Sequence, residues 1–257
     1  MDTAPFISAY AVVAYAVTVG VLSYAVGFIA DHAVPVSINH GPHVTWPAAA
    51  VIDLVLLLVF AVQHTVMARS AVKRHITRIL PAAAERSTFV LCASLALALL
   101  YWQWRPITAT IWSVHGAAAV AFWLAYGTGW VIAVAATFMI SHADLFGLRQ
   151  AWLVRTKYEP PSFTTRGAYR IVRHPLMTGF VIVFWSTPTM TAGHLLFAAG
   201  ATGYILAGIA FEERDLIRAF GSTYGSYRAR VPALIPRYSL RHPSPRSQPN
   251  EEPTGSR

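Results

Sequence analysis

Charge is what this chain has least of. Only 12% of its 257 residues are Asp, Glu, Lys or Arg, whereas 55% are hydrophobic; an ordinary soluble domain carries about twice that share of charge. Most of the chain is therefore expected in lipid. Cysteine is nearly absent: Cys92 stands alone, which excludes an internal disulfide and any zinc or iron–sulfur centre built on several thiolates. There is no glycine-rich turn between a strand and a helix of the kind that cradles nucleotides in doubly wound folds. Nor does any ligand cluster call for a metal.

One long uncharged stretch is 176–211, 36 residues without one Asp, Glu, Lys or Arg. Earlier apolar runs at 5–30, 47–67, 87–104 and 112–140 are each long enough to cross a hydrocarbon core of about 30 Å. The first lacks a basic leader segment and is read as a membrane helix, not a cleaved signal peptide. A net charge of +9 raises nucleic acid as a partner. The basic residues, however, sit in short segments between apolar runs, as in cytoplasmic loops near anionic lipid.

Arg69, Lys73, Arg74, Arg78 and Arg86 face one acid, Glu85, in one such segment, and Arg149, Arg155, Lys157, Arg166, Arg170 and Arg173 face Asp144 and Glu159 in another. The segment 31–46 has no Lys or Arg and reads as an outer loop. The tail beyond Glu212 is again rich in arginine, so 176–211 must begin and end on the same side. Thr187-Pro188 and Gly193-His194 break it near the middle, giving arms of roughly 17 to 20 residues if the first begins near Ile171. The expected fold class is all-α: a polytopic membrane helix bundle of about six spans, four plus a C-terminal helical hairpin, with a cytoplasmic helical C-terminal segment. Trp102 and Trp104 suit the headgroup level. Residues 1–237 are expected to form one integral membrane domain and 238–257 a disordered tail.

Two polar clusters flank the hairpin and are expected to meet at the cytoplasmic surface. Arg173-His174-Pro175 opens it: an arginine fork suits a carboxylate and an imidazole adds a hydrogen bond, while Pro175 fits a first helical position. Glu212 and Glu213 close it. Adjacent helix positions point about 100° apart, so at most one of the two faces the bundle interior, where it can meet Arg173 or hold a ribose hydroxyl or an ammonium group. The same residues also suit a plainer role, snorkelling and ending spans at the interface.

The series Gly167-x-Tyr169-x-x-x-Arg173-His174-Pro175, an apolar hairpin, Glu212-Glu213-x-x-Leu216-x-x-x-Phe220-Gly221-x-x-Tyr224-x-x-Tyr227, then Val231-Pro232 and Ile235-Pro236 resembles the C-terminal half of isoprenylcysteine carboxyl methyltransferases and their bacterial integral-membrane relatives. That resemblance implies S-adenosylmethionine as methyl donor, held at the cytoplasmic face by Tyr169, Arg173, His174, Pro175, Glu212, Glu213, Tyr224 and Tyr227. Further stretches, among them Gln63-His64-Thr-Val-Met67-Ala-Arg69 and Ile140-Ser141-His142-Ala-Asp144, resemble the bacterial methanethiol S-methyltransferases. The implied reaction is methylation of methanethiol to dimethyl sulfide at the bacterial inner membrane. Met177 stands where the wider superfamily has a tyrosine.

A thiol is mostly protonated near neutral pH, its cysteine analogue having a pKa of about 8.5, so a proton acceptor is expected. His142 oriented by Asp144 is the first candidate and His64 the second. Haem ligation by His64 and His142 is a further option. Other readings are methylation of another thiol, a lipid or an isoprenylcysteine carboxylate, and a non-enzymatic membrane protein linked to nitrite and nitric oxide reduction.

Overall fold

A helix that is apolar on every side has no reason to prefer one face in water. Five helices of this kind, each long and apolar enough to cross a membrane, dominate the computed structural model, which describes residues 4–153 and 165–236. The chain is an integral membrane protein. The expected disordered tail, Arg237 and the loop positions Arg155, Lys157 and Glu159 lie outside the described residues.

α1 (Ala4–Ala30) and α2 (Trp46–Ala68) are followed by α3 (Ser70–Ile79), α4 (Glu85–Gln103), strand β1 (Thr110–Ser113) and α5 (Gly116–Ile140). Short helices α6 (His142–Leu145) and α7 (Leu148–Trp152) come next, then α8 (Pro175–Trp185), strand β2 (Thr189–Thr191) and α9 (Ala192–Arg230). Among the described residues, two short strands thus interrupt a largely helical chain. They pair antiparallel, with Thr110 opposite Thr191 and Ser113 opposite Thr189, so Trp112 lies in a strand and the fourth long helix begins at Gly116. Within the basic segment after α2, α3 buries none of its residues. Its Val72, Ile76 and Ile79 alternate with Lys73, Arg74 and Arg78 at helical spacing, the pattern of a helix lying in a membrane surface.

The expected hairpin is present but its arms are unequal. α8 has 11 residues, about 16 Å at 1.5 Å per residue, too short to cross by itself. Pro175 occupies the first helical positions, and Pro188 bars the helix from continuing through the turn. The flanking segments continue the arm: the Ala168 amide, in the 3-10 turn Gly167–Arg170, reaches Met139 Sδ near the end of α5 (3.4 Å), and Val114, just before α5, donates to the Pro188 carbonyl (3.0 Å). The arm therefore runs beside the whole of α5. A Cβ on Gly179 would lie 2.6 Å from the Gly129 carbonyl oxygen and 2.7 Å from the Ala133 amide, so the two backbones touch as small residues allow.

The helices divide the polar residues between two ends. Every described Arg and Lys except Arg105 lies at the end formed by 68–86, 140–153, 165–174 and 211–236. At the opposite end, Asp31 accepts hydrogen bonds from Ser37 and Asn39 (3.1 Å) and pairs with His40 (2.7 Å). Thr191 ties this loop to the hairpin by donating to Asn39 (2.6 Å). Trp104 is in the core, not at the headgroup level: it is fully buried against Phe28 and Phe197, its indole N–H on the Ile38 carbonyl (3.1 Å). Trp102 is exposed as expected. Asp53, the one charged residue inside α2, is buried and accepts the Arg105 amide (2.9 Å) where the chain leaves α4.

Candidate functional site

The hairpin brings its two polar ends together. Glu213 is 7% exposed and faces three cationic or potentially cationic side chains: Arg173 donates from Nε (2.7 Å), with Nη2 2.6 Å away, His174 Nε2 is hydrogen-bonded at 3.2 Å, and Arg228 Nε forms an ion pair at 3.0 Å. Such a concentration of donors on one buried carboxylate is a charge-assisted network. Arg173 Nη1 also donates to the carbonyls of Arg228 (3.1 Å) and Val231. Backbone bonds extend the closure, since the amides of Arg173 and His174 donate to the carbonyls of Pro232 (2.9 Å) and Ala233 (3.1 Å), and Thr178 Oγ1 to that of Leu234 (2.9 Å). The segment 231–236 is a strap across Arg173-His174-Pro175.

All eight residues expected at a donor site fall in this region, but their roles divide. Arg173 and Glu213 are consumed by each other. Tyr227 donates to the Tyr169 carbonyl (2.7 Å), Tyr224 is buried beside Arg173 and Tyr227, and Pro175 starts α8. Burial, then the neighbouring Glu212 and Tyr227, push the Tyr169 hydroxyl up to about 12, so it stays protonated. Glu212 is 53% exposed, with one oxygen 3.6 Å from His174 Nδ1, and Arg228 is 51% exposed. Arg228 was not singled out in the sequence; its spacing from Glu213 carries no periodic signal, because α9 kinks between them at Gly221 (φ 53°). Met177 is half-buried in the first turn of α8.

His142 and Asp144 do not form the expected pair. The His142 ring is bonded at both nitrogens by hydroxyl groups, Nδ1 to Thr137 (2.8 Å) and Nε2 to Tyr15 (3.0 Å), and stacks on Phe138 (4.4 Å). Burial holds its pKa below the ordinary value. Asp144 instead pairs with Arg149 (3.0 Å). The reason is local: residues two apart in a helical turn point away from each other, and Ser141 caps the turn by accepting the Asp144 amide (3.4 Å).

His64 lies elsewhere, between α2, α4 and α9, with the rings of Phe89 (4.8 Å), Phe60 (5.4 Å) and Tyr204 (6.3 Å) around it. It does not share a setting with His142, as haem ligation by the two would need.

The chain is 52% identical over 237 residues to methanethiol S-methyltransferase 2 of Bradyrhizobium diazoefficiens, covering 90% of each protein. It is also 52% identical over 230 residues to methanethiol S-methyltransferase of Mycobacterium tuberculosis, covering 88% of this chain and 94% of that one. Nurim of Mus musculus is 32% identical over 176 residues, covering 64% of this chain and 66% of its own. No family model matches, and no solved structure does.

Proposed function

The chain belongs to the methanethiol S-methyltransferase family, and from that membership we propose that it methylates methanethiol to dimethyl sulfide with S-adenosylmethionine as donor. The observation that carries the site is the closed Glu213 cluster at the basic end of the bundle, with Glu212 and Arg228 left half exposed beside it. A donor that bears a carboxylate, an ammonium group and ribose hydroxyls needs a cation and an anion that it can reach, and the exposed parts of Arg228, beyond its pairing with Glu213, and of Glu212 fit that chemistry. Arg228 would hold the carboxylate and Glu212 the hydroxyls or the ammonium. Arg173, His174, Glu213, Tyr224 and Tyr227 would set the frame around them. When bound, S-adenosylmethionine supplies an electrophilic methyl group on a sulfonium.

The chain's own contribution is position and dryness. Transfer between a thiolate and a sulfonium neutralises an anion and a cation, so a site poor in water favours it relative to solution. The strap at 231–236 closes over Arg173 and His174 and shields that side of the site from water. The near-exclusive gathering of Arg and Lys at this end supports its placement at the cytoplasmic face of a bacterial inner membrane.

The test is incubation of the protein in bilayer discs with methyl-labelled S-adenosylmethionine and methanethiol, reading labelled dimethyl sulfide in the headspace, beside Glu212→Ala and Arg228→Ala. The expected result is product from the wild type and weakened donor binding by calorimetry in both variants. Donor binding without product would discard methanethiol as acceptor; neither would discard the methyltransferase.

A further inference from the structure

Of the histidines considered for proton transfer, only His64 keeps a ring nitrogen unengaged. Its Nδ1 is buried and has no hydrogen-bond partner among the described residues, whereas both nitrogens of His142 are taken by hydroxyls. Inside a membrane bundle water does not meet such an atom cheaply, and a buried polar group left without a partner is destabilising. An arrangement of that kind is expected where a ligand supplies the missing contact.

We infer that His64, with the rings of Phe60, Phe89 and Tyr204 around it, is the site that receives the acceptor thiol and takes its proton. The inference rests on the methyltransferase reading above. A small thiol offers one S–H donor, which the imidazole needs, and a polarizable sulfur, which aromatic rings attract. The same rings favour a sulfonium by cation–π attraction. α2 buries only Ala49, Asp53 and Leu56, so it lies at the lipid-facing side of the bundle, and His64 itself is half-buried, within reach of the lipid in which an apolar volatile thiol dissolves.

The donor cluster is close along the same elements. Arg69, five residues beyond His64, stacks on Phe211 (4.8 Å) next to Glu212. Thr65 bonds Tyr204 (3.3 Å), which lies about 12 Å before Glu212 along α9 at 1.5 Å per residue. In the step itself the S–H bond of the thiol breaks and its proton passes to His64 Nδ1. The thiolate sulfur forms a bond to the methyl carbon while the S–CH3 bond of the sulfonium breaks, its electron pair staying on the donor sulfur as a neutral thioether. The imidazolium returns its proton to water at the basic end.

Carbon-13 methanethiol, titrated without any donor into the protein in phosphatidylcholine discs and followed by NMR, decides the site. Wild type binds, His64→Ala binds at least tenfold more weakly, and His64→Gln, which keeps an acceptor oxygen, retains binding but loses on the order of 10²-fold or more in turnover. Calorimetric affinity for S-adenosylmethionine unchanged in both variants verifies that the bundle is intact. Equal methanethiol binding by wild type and His64→Ala would overturn the site, and normal turnover by His64→Gln the proton transfer. Wild type that binds methanethiol through His64 yet makes no dimethyl sulfide would instead overturn the methyltransferase reading.

Discussion

Replacing Glu213 by alanine removes the one carboxylate on which Arg173, His174 and Arg228 converge. Arg173 has a 9% exposed side chain, so it cannot recover its lost partner from water without opening the strap. Its Nη1 keeps the carbonyls of Arg228 and Val231, which limits the damage. Removing one member of a buried ion pair costs about 3–5 kcal/mol, and at roughly 2–4 °C per kcal/mol for a chain of this size the expected loss in thermal midpoint is on the order of 10 °C. Glu213→Gln, which keeps an acceptor, is expected to lose about 1–3 kcal/mol. The assay is thermal unfolding in detergent followed by circular dichroism, with Glu212→Ala as control: that side chain is 53% exposed, and its loss is expected to stay within about 0.5 kcal/mol. Glu213→Ala melting within about 2 °C of wild type, or no lower than Glu212→Ala, would refute the buried cluster as the clasp of the hairpin.

Arg228→Gln leaves Arg173 and His174 on Glu213; calorimetry is expected to register at least a tenfold loss of S-adenosylmethionine affinity with a small change in melting. Gly179→Val forces a side chain into the Gly129 carbonyl and Ala133, separating α8 from α5, and size-exclusion chromatography is expected to report loss of the folded monodisperse peak. Asp53→Leu strips the Arg105 amide of its acceptor and is expected to cost about 1–3 kcal/mol, while Asp53→Asn, still an acceptor, melts closer to wild type. Burial opposes ionisation of Asp31, but hydrogen bonds from Ser37, His40 and Asn39 and the charge on His40 outweigh it and hold the carboxyl below 3.8. A depressed carboxyl stabilises the fold above its unfolded pKa, near 3.9, and that stabilisation is lost as pH falls through the folded value. The melting difference between wild type and Asp31→Asn is therefore expected to be full at pH 6 and to shrink progressively as the pH is lowered below the unfolded value and through the folded one.

That the two ends of 176–211 meet was legible from an absence: with no charge along 36 residues and arginines at both ends, the span has to fold back. Which glutamate turns inward was not legible. Glu212 and Glu213 have the same chemistry, and the phase of α9 is set by its packing and by the kink at Gly221. The proximity of His142 and Asp144 in sequence was misleading, because a four-residue helix points them apart and supplies each with other partners from Tyr15, Thr137 and Arg149. Trp104 likewise has the composition of an interfacial residue and the position of a core one, since the loop carrying Ile38 folds over it.

Hydropathy and the placement of arginine by themselves determined that this chain lives in a membrane, where most of its helices run and which ends are basic, because these are properties carried along one segment at a time. The tertiary structure decided that Arg173 and Glu213 satisfy each other, that Arg228 and Glu212 remain partly open, and that His64 and not His142 keeps an unengaged nitrogen. Those outcomes depend on distances between segments tens of residues apart, and a hydrogen bond is satisfied by whichever partner packing brings within about 3 Å.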